Sequence, residues 1–148
     1  QGIDNWLEVM RDLEPECRIL IENTAGGSAA VARRFDDFAR LLDALRGAGH
    51  DVGVVLDTCH AHAGGEELSS SAERLIRFAG SIELVHLNDS KDDFNSGRDN
   101  HQSLGEGSCA MQDLLQVVQV ANTYTVVETP GGYVDQARDL SVVRSSLG

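Results

Sequence analysis

The stretch VGVVLDTCH, residues 52–60, decides the fold. Val52 to Leu56 is a short apolar run rich in valine, the signature of a parallel strand buried on both faces. It ends on Asp57, and His60 follows three residues later. The same design recurs along the chain. RILIENT (18–24) closes its apolar run on Glu22, IELVHLND (82–89) on His86 and YTVVETP (124–130) on Glu128. A carboxylate or imidazole at the end of a buried strand is costly unless it is paired or binds metal. Two short motifs add further candidate ligands, His60 in DTCH and the pair Asp99 and His101 in RDNH (98–101).

Helical patterns fill the intervals. Asn5–Leu13 reads as the end of an amphipathic helix stopped near Pro15. Ser28 is a candidate cap for a long helix carrying Val31, Phe35, Phe38, Leu41, Leu42 and Leu45 at helical spacing, closed by Gly47 and Gly49. Ser70-Ser71-Ala72-Glu73 has the form of a capping box before Leu75, Ile76 and Phe78. A polar loop is expected over 88–108, a helix through Met111, Leu114, Leu115 and Val118, and a last helix over 134–147. Strands are expected at 18–23, 52–57, 82–87 and 124–128.

This is a run of β-α repeats, the pattern of a parallel sheet with helical crossovers. Side chains alternate along a strand, so Asp57 shares a face with Val55, His86 with Leu84, and Glu128 with Val126. Carboxyl ends of such strands are where α/β barrels build active sites. Four β-α units make half of an eight-stranded barrel, which typically needs about 250 residues. The expected fold is therefore α/β, the C-terminal half of a (β/α)8 TIM barrel, with residues 1–148 as one partial barrel domain. Gln1 stands where an initiating Met would be, in keeping with a chain that begins inside a longer protein.

Composition narrows the class. The 148 residues are 41% apolar and 24% charged, as in a globular domain, and hold no apolar run long enough to span a bilayer. Cys17, Cys59 and Cys109 form no CxxC pair, which together with the absence of a secretory signal favours a cytoplasmic protein. The net charge of −12 argues against a generic nucleic-acid-coating surface. Metal ions held by the acidic ligands would nevertheless make the local field positive.

Four segments, IENTAGG (21–27), VGVVLDTCHAHAGGEEL (52–68), VHLNDSKDDFNSGRDNHQSLGEG (85–107) and VVETPGG (126–132), resemble the endonuclease IV family of apurinic/apyrimidinic endonucleases. The resemblance covers nearly the whole chain. It implies a zinc-dependent phosphodiesterase that cuts double-stranded DNA 5′ to abasic sites through a metal-activated hydroxide. It also implies three zinc ions. Glu22 resembles the carboxylate that bridges the first and second ions and helps place the hydroxide between them. Asp57, His86 and Glu128 resemble the other ligands of the second ion, and His60, Asp99 and His101 those of the third. The first ion would use two further histidines from earlier strands, for which this sequence has no counterpart. Asn100 departs from the family pattern, which usually has Arg there, and Ser108-Cys109 departs more mildly.

Two rivals accompany this reading. One is a sugar isomerase or epimerase on a related barrel, which has no need of the trio His60, Asp99 and His101. The other is a non-catalytic zinc-binding fragment. Taken singly, His86 is as compatible with a hydrogen-bonded core histidine as with a ligand. Cys59 reads as a packing residue, and His62 and His50 read as non-ligands.

Overall fold

A computed structural model describes residues 1–13, 15–27 and 29–148. In chain order it contains α1 (Gly2–Asp12), β1 (Ile19–Glu22), α2 (Phe35–Gly47), β2 (Val52–Asp57), α3 (Thr58–Gly64), α4 (Leu68–Ala79) and β3 (Leu84–His86). These are followed by β4 (Asp89–Ser90), β5 (His101–Gln102), α5 (Met111–Ala121), β6 (Tyr124–Val126) and α6 (Tyr133–Leu147). The main sheet has four strands in the order β1-β2-β3-β6, and every pairing is parallel. It is the partial α/β barrel that the repeat pattern predicts.

Register explains how the strands share the work. Glu22 pairs with Val55, Val55 with Leu84, and Leu84 with Tyr124, while Asp57 pairs with His86 and His86 with Val126. With a side-chain period of two, Glu22, Asp57 and His86 therefore project from one face of the sheet. The opposite face carries Ile21, Val54, Leu56 and Val85, all within the hydrophobic core. There they meet Phe35, Phe38, Leu41, Leu42 and Leu45 of α2 and Leu75 of α4, each at most 1% exposed. Burial of one such side chain contributes about 1.5–3 kcal/mol, so the ligand-bearing strands are anchored from behind. All six residues of β2 are buried, as its valine run predicts. On the ligand face, Val126 and Tyr124 are exposed, the latter by 84%.

Several boundaries differ from the sequence reading. The helix expected from Ser28 starts at Phe35, and residue 28 itself lies outside the described residues. Its start is set from a distance, because buried Glu66 accepts a hydrogen bond from the Phe35 N–H at 3.0 Å. Arg34 and Arg74 flank the same carboxylate. The helix assigned to a capping box at Ser70 begins at Leu68, and Ser71 instead turns its hydroxyl onto the Leu68 carbonyl at 3.0 Å. The last strand stops at Val126, because the Glu128 N–H is taken by the Asn88 side chain rather than by a neighbouring strand. Residues 58–64 form a helix that the sequence reading did not assign, and the polar loop contains a two-stranded ladder, β4 against β5.

Candidate metal centre

Asp57 organises the centre. It ends β2 and caps α3, its Oδ1 accepting the His60 N–H at 2.7 Å. Asn23 grips its backbone on both sides, accepting from the Asp57 N–H at 2.8 Å and donating to the Asp57 carbonyl at 3.0 Å. Asn88 donates to Oδ2 at 2.7 Å. The carboxylate is fully buried, and that burial raises its pKa against the pull of His60, His101 and Asn88. Being the cap of α3, Asp57 also fixes where His60 enters the mouth.

His60 lies among carboxylates. Its Nδ1 is 3.0 Å from Glu22 Oε1 and 2.9 Å from the Asn23 carbonyl, and its Nε2 is 3.1 Å from Asp99 Oδ1. Burial works to lower the imidazole pKa, but Glu22, Asp57, Asp99 and the Asn23 carbonyl together lift it to about 10. Burial likewise works to raise the Glu22 carboxyl, and His60 and His86 outweigh it, leaving Glu22 below its ordinary value.

The structure brings the remaining predicted ligands to the same mouth. His86 Nδ1 lies 3.4 Å from Glu22 Oε1 and 3.1 Å from Glu128 Oε2. His101 Nε2 lies 3.2 Å from Asp99 Oδ1 and 3.7 Å from Asp57 Oδ2. Two triads follow, Glu22–Asp57–His86 and His60–Asp99–His101, in each of which the ligand atoms lie within 4.8 Å of one another. Glu128 stands beside the first through His86. A third grouping, Asp57–Cys59–His101, meets the same distance, but burial, with Asp57 and Asp99 adding to it, pushes the Cys59 thiol up to about 12. That agrees with a packing role for Cys59.

The donor set fits divalent zinc, which favours nitrogen and carboxylate oxygen ligands. His60 Nε2, His86 Nδ1 and His101 Nε2 are each inaccessible and lack a hydrogen bond of acceptable geometry, although carboxylate oxygens lie close by. Buried ring nitrogens seldom go unpaired. Three orphans converging on one mouth are what a cation bound there would resolve.

Residues that sequence reasoning passed over hold this arrangement. Besides Asn23 and Asn88, fully buried Asp89 accepts the backbone N–H groups of Ser90, Gly105, Gly107 and Cys109 at 2.7–3.0 Å. It ties the glycine-bearing turn back to the end of β3. The available signal was position: Asn23 directly follows Glu22, and Asn88 and Asp89 come two and three residues after His86, so each lies at or just beyond the end of a ligand-bearing strand.

Residues 1–144 match the family model described as xylose isomerase-like TIM barrel. The chain is 41% identical over 150 residues to a probable endonuclease 4 from Mycobacterium bovis, covering 100% of itself and 57% of that relative. It thus spans little more than half the length of that protein. It superposes on the crystal structure of endonuclease IV from Thermus thermophilus with a TM-score of 0.78 and 31% identity, over 98% of this chain and 56% of that one. The IolI protein solved with a bound zinc atom shares the fold alone, with a TM-score of 0.67 at 18% identity over 98% of this chain and 55% of that one.

Proposed function

The chain belongs to the xylose isomerase-like TIM barrel family, within its endonuclease IV group, and on that premise we propose that it carries the zinc-binding half of a DNA-repair endonuclease acting 5′ to abasic sites. One observation above the rest supports this reading. The mouth holds a second ligand triad, His60–Asp99–His101, beside Glu22–Asp57–His86. A sugar isomerase working with a single divalent metal has no use for it.

In this proposal Glu22, Asp57, His86 and Glu128 hold one ion and His60, Asp99 and His101 another. As the resemblance implies, Glu22 would also serve the further ion whose two histidines have no counterpart in this sequence; its Oε1 lies 3.0 Å from His60 Nδ1 and 3.4 Å from His86 Nδ1. Zinc, when bound, supplies Lewis acidity that acidifies water and offsets charge at a phosphodiester. The chain's own groups prepare the ground. Asn23 and Asn88 hold Asp57 in one orientation, and Asp89 fixes the turn beside the mouth. A damaged nucleotide would be drawn out of the base stack before cleavage, as other base-lesion enzymes do. The substrate is duplex DNA, and residues 1–148 act as one partial barrel domain in the cytoplasm. Among the described residues no helix is long and apolar enough to cross a membrane.

The test is elemental analysis of the purified chain together with incision of a duplex bearing one abasic site, with and without EDTA. Bound zinc near two or three ions with EDTA-sensitive incision supports the reading in full. Zinc without incision leaves a metal-binding fragment, and absence of bound metal would refute the ligand assignment.

A further inference from the structure

We propose that His62 is a positioning residue that docks the loop carrying Asp99 and His101 onto α3, the helix that carries His60. The inference rests on the metal-centre reading above, and it concerns a histidine whose side chain hydrogen-bonds and stacks outside the ligand triads, on Ser108 and Phe94.

His62 is 8% exposed and touches the loop at two separated places. Midway along the loop, the Phe94 ring meets the imidazole edge-on, with centroids 5.5 Å apart and planes at 75°. At its closing end, Ser108 Oγ lies 3.0 Å from His62 Nε2. The backbone continues the attachment. The His62 carbonyl accepts the Asn95 N–H at 3.0 Å, and the Ala63 carbonyl accepts the Gly97 N–H at 2.8 Å. Asp99 and His101 lie between these anchor points, and His60 lies half a helical turn before His62 on the same short helix. The contact His60 Nε2 to Asp99 Oδ1 at 3.1 Å therefore depends on how the loop is seated against α3.

Proton counting assigns the role of each atom. Ser108 Oγ has one hydrogen and faces two carbonyl acceptors, those of Asp92 and Ser90. A hydroxyl donates once, so when Ser108 donates to a carbonyl its remaining contact must be as acceptor. In that arrangement the hydrogen on His62 Nε2 is the one donated to Ser108. Glutamine can reproduce that donor from a side-chain amide, whereas alanine removes both the donor and the ring against Phe94. Groups that orient metal ligands from behind are commonly worth 10–100-fold in metal affinity.

The test uses the full 148-residue chain, its His62→Ala and His62→Gln variants, amide hydrogen exchange, and zinc titration against the His60→Gln variant to identify the loop-side ion. His62→Ala is expected to speed exchange at Asn95 and Gly97 while Val54 and Leu75 stay protected. It is also expected to weaken the loop-side zinc by about tenfold. His62→Gln is expected to keep both properties within about threefold, since the donor that carries the inference remains. Unchanged exchange and affinity in His62→Ala would overturn the proposal, as would a Gln variant that behaves like Ala, or loss of protection throughout the core. Should the parent chain bind no zinc, the metal-centre reading falls, and the exchange of Asn95 and Gly97 alone decides whether His62 docks the loop.

Discussion

Asn88 donates its side-chain amide to Asp57 Oδ2 at 2.7 Å, and the same side chain accepts the Glu128 N–H at 2.9 Å. One amide thus ties the buried carboxylate at the end of β2 to the loop after β6. Replacing Asn88 by Ala leaves a buried carboxylate oxygen and a backbone N–H without partners, at an expected cost of about 2–3 kcal/mol. Metal affinity at the Asp57 triad is expected to fall about 10–100-fold. Urea denaturation of the metal-free chain and zinc titration separate the two effects, and an Asn88→Ala variant as tight as the parent would remove Asn88 from the site.

Asp89 is structural by the same logic. Its carboxylate collects four backbone N–H groups, two of them from Gly105 and Gly107. Asp89→Ala is expected to destabilise the chain by about 3 kcal/mol or more, because several donors lose a charged acceptor together. Asp89→Asn should cost less, since one carbonyl oxygen remains. Thermal or urea unfolding of the two variants checks the order, and equal losses would count against this account.

Metal content offers a count. His60→Gln is expected to lower bound zinc by about one ion per chain, because it removes a nitrogen from a triad with three ligands. His50→Gln, in the turn after α2, is the control and should leave the count as it was. Inductively coupled plasma analysis of both variants decides it, and an unaltered count in His60→Gln would detach His60 from the centre.

The histidine also sets a pH dependence. In the metal-free chain the His60 pKa is raised to about 10 from an ordinary 6.5, despite burial that works to lower it. A raised folded-state pKa contributes stability that is fully present below about pH 6.5 and is lost as pH climbs toward 10. Glu22 works in the other direction, since its lowered pKa gives stability that is lost on acidification. Metal-free stability should therefore decline between pH 6.5 and 10, and His60→Gln should flatten that slope. Zinc must displace the proton, so its affinity should rise over the same interval with proton release. Denaturation across pH and calorimetry in buffers of different ionisation enthalpy test both statements; a pH-independent affinity would contradict them.

Much of this was legible along the chain because it is local. Alternation put Asp57 on one face with Val55 and His86 with Leu84, and the register of the sheet brings both pairs, together with Glu22, to the same face. The valine run of β2 foretold burial on both sides. Boundaries were less legible where a distant group sets them. Phe35 opens α2 because Glu66, 31 residues away, accepts its N–H. β6 ends at Val126 because Asn88, 40 residues before Glu128, takes the next free donor. The helix over 58–64 escaped notice because TCHAHAG is too short for periodicity to reveal, and its cap is a residue already read as a ligand.

By itself, then, the sequence determined which residue types stand at the strand ends and which neighbours in the same strand share their faces, since both follow from periods of two and 3.6 residues. The family resemblance implied the grouping into Glu22–Asp57–His86 and His60–Asp99–His101, which the structure brings together. Only the tertiary structure decided the contacts that support it: the pairing of Asp89 with Gln102 and Ser90 with His101 in β4–β5, and the grip of Asn23 and Asn88 on Asp57, join residues far apart in sequence. Those contacts form because buried polar groups must find partners, and the partner each one finds depends on how the packed strands and helices bring the loops together.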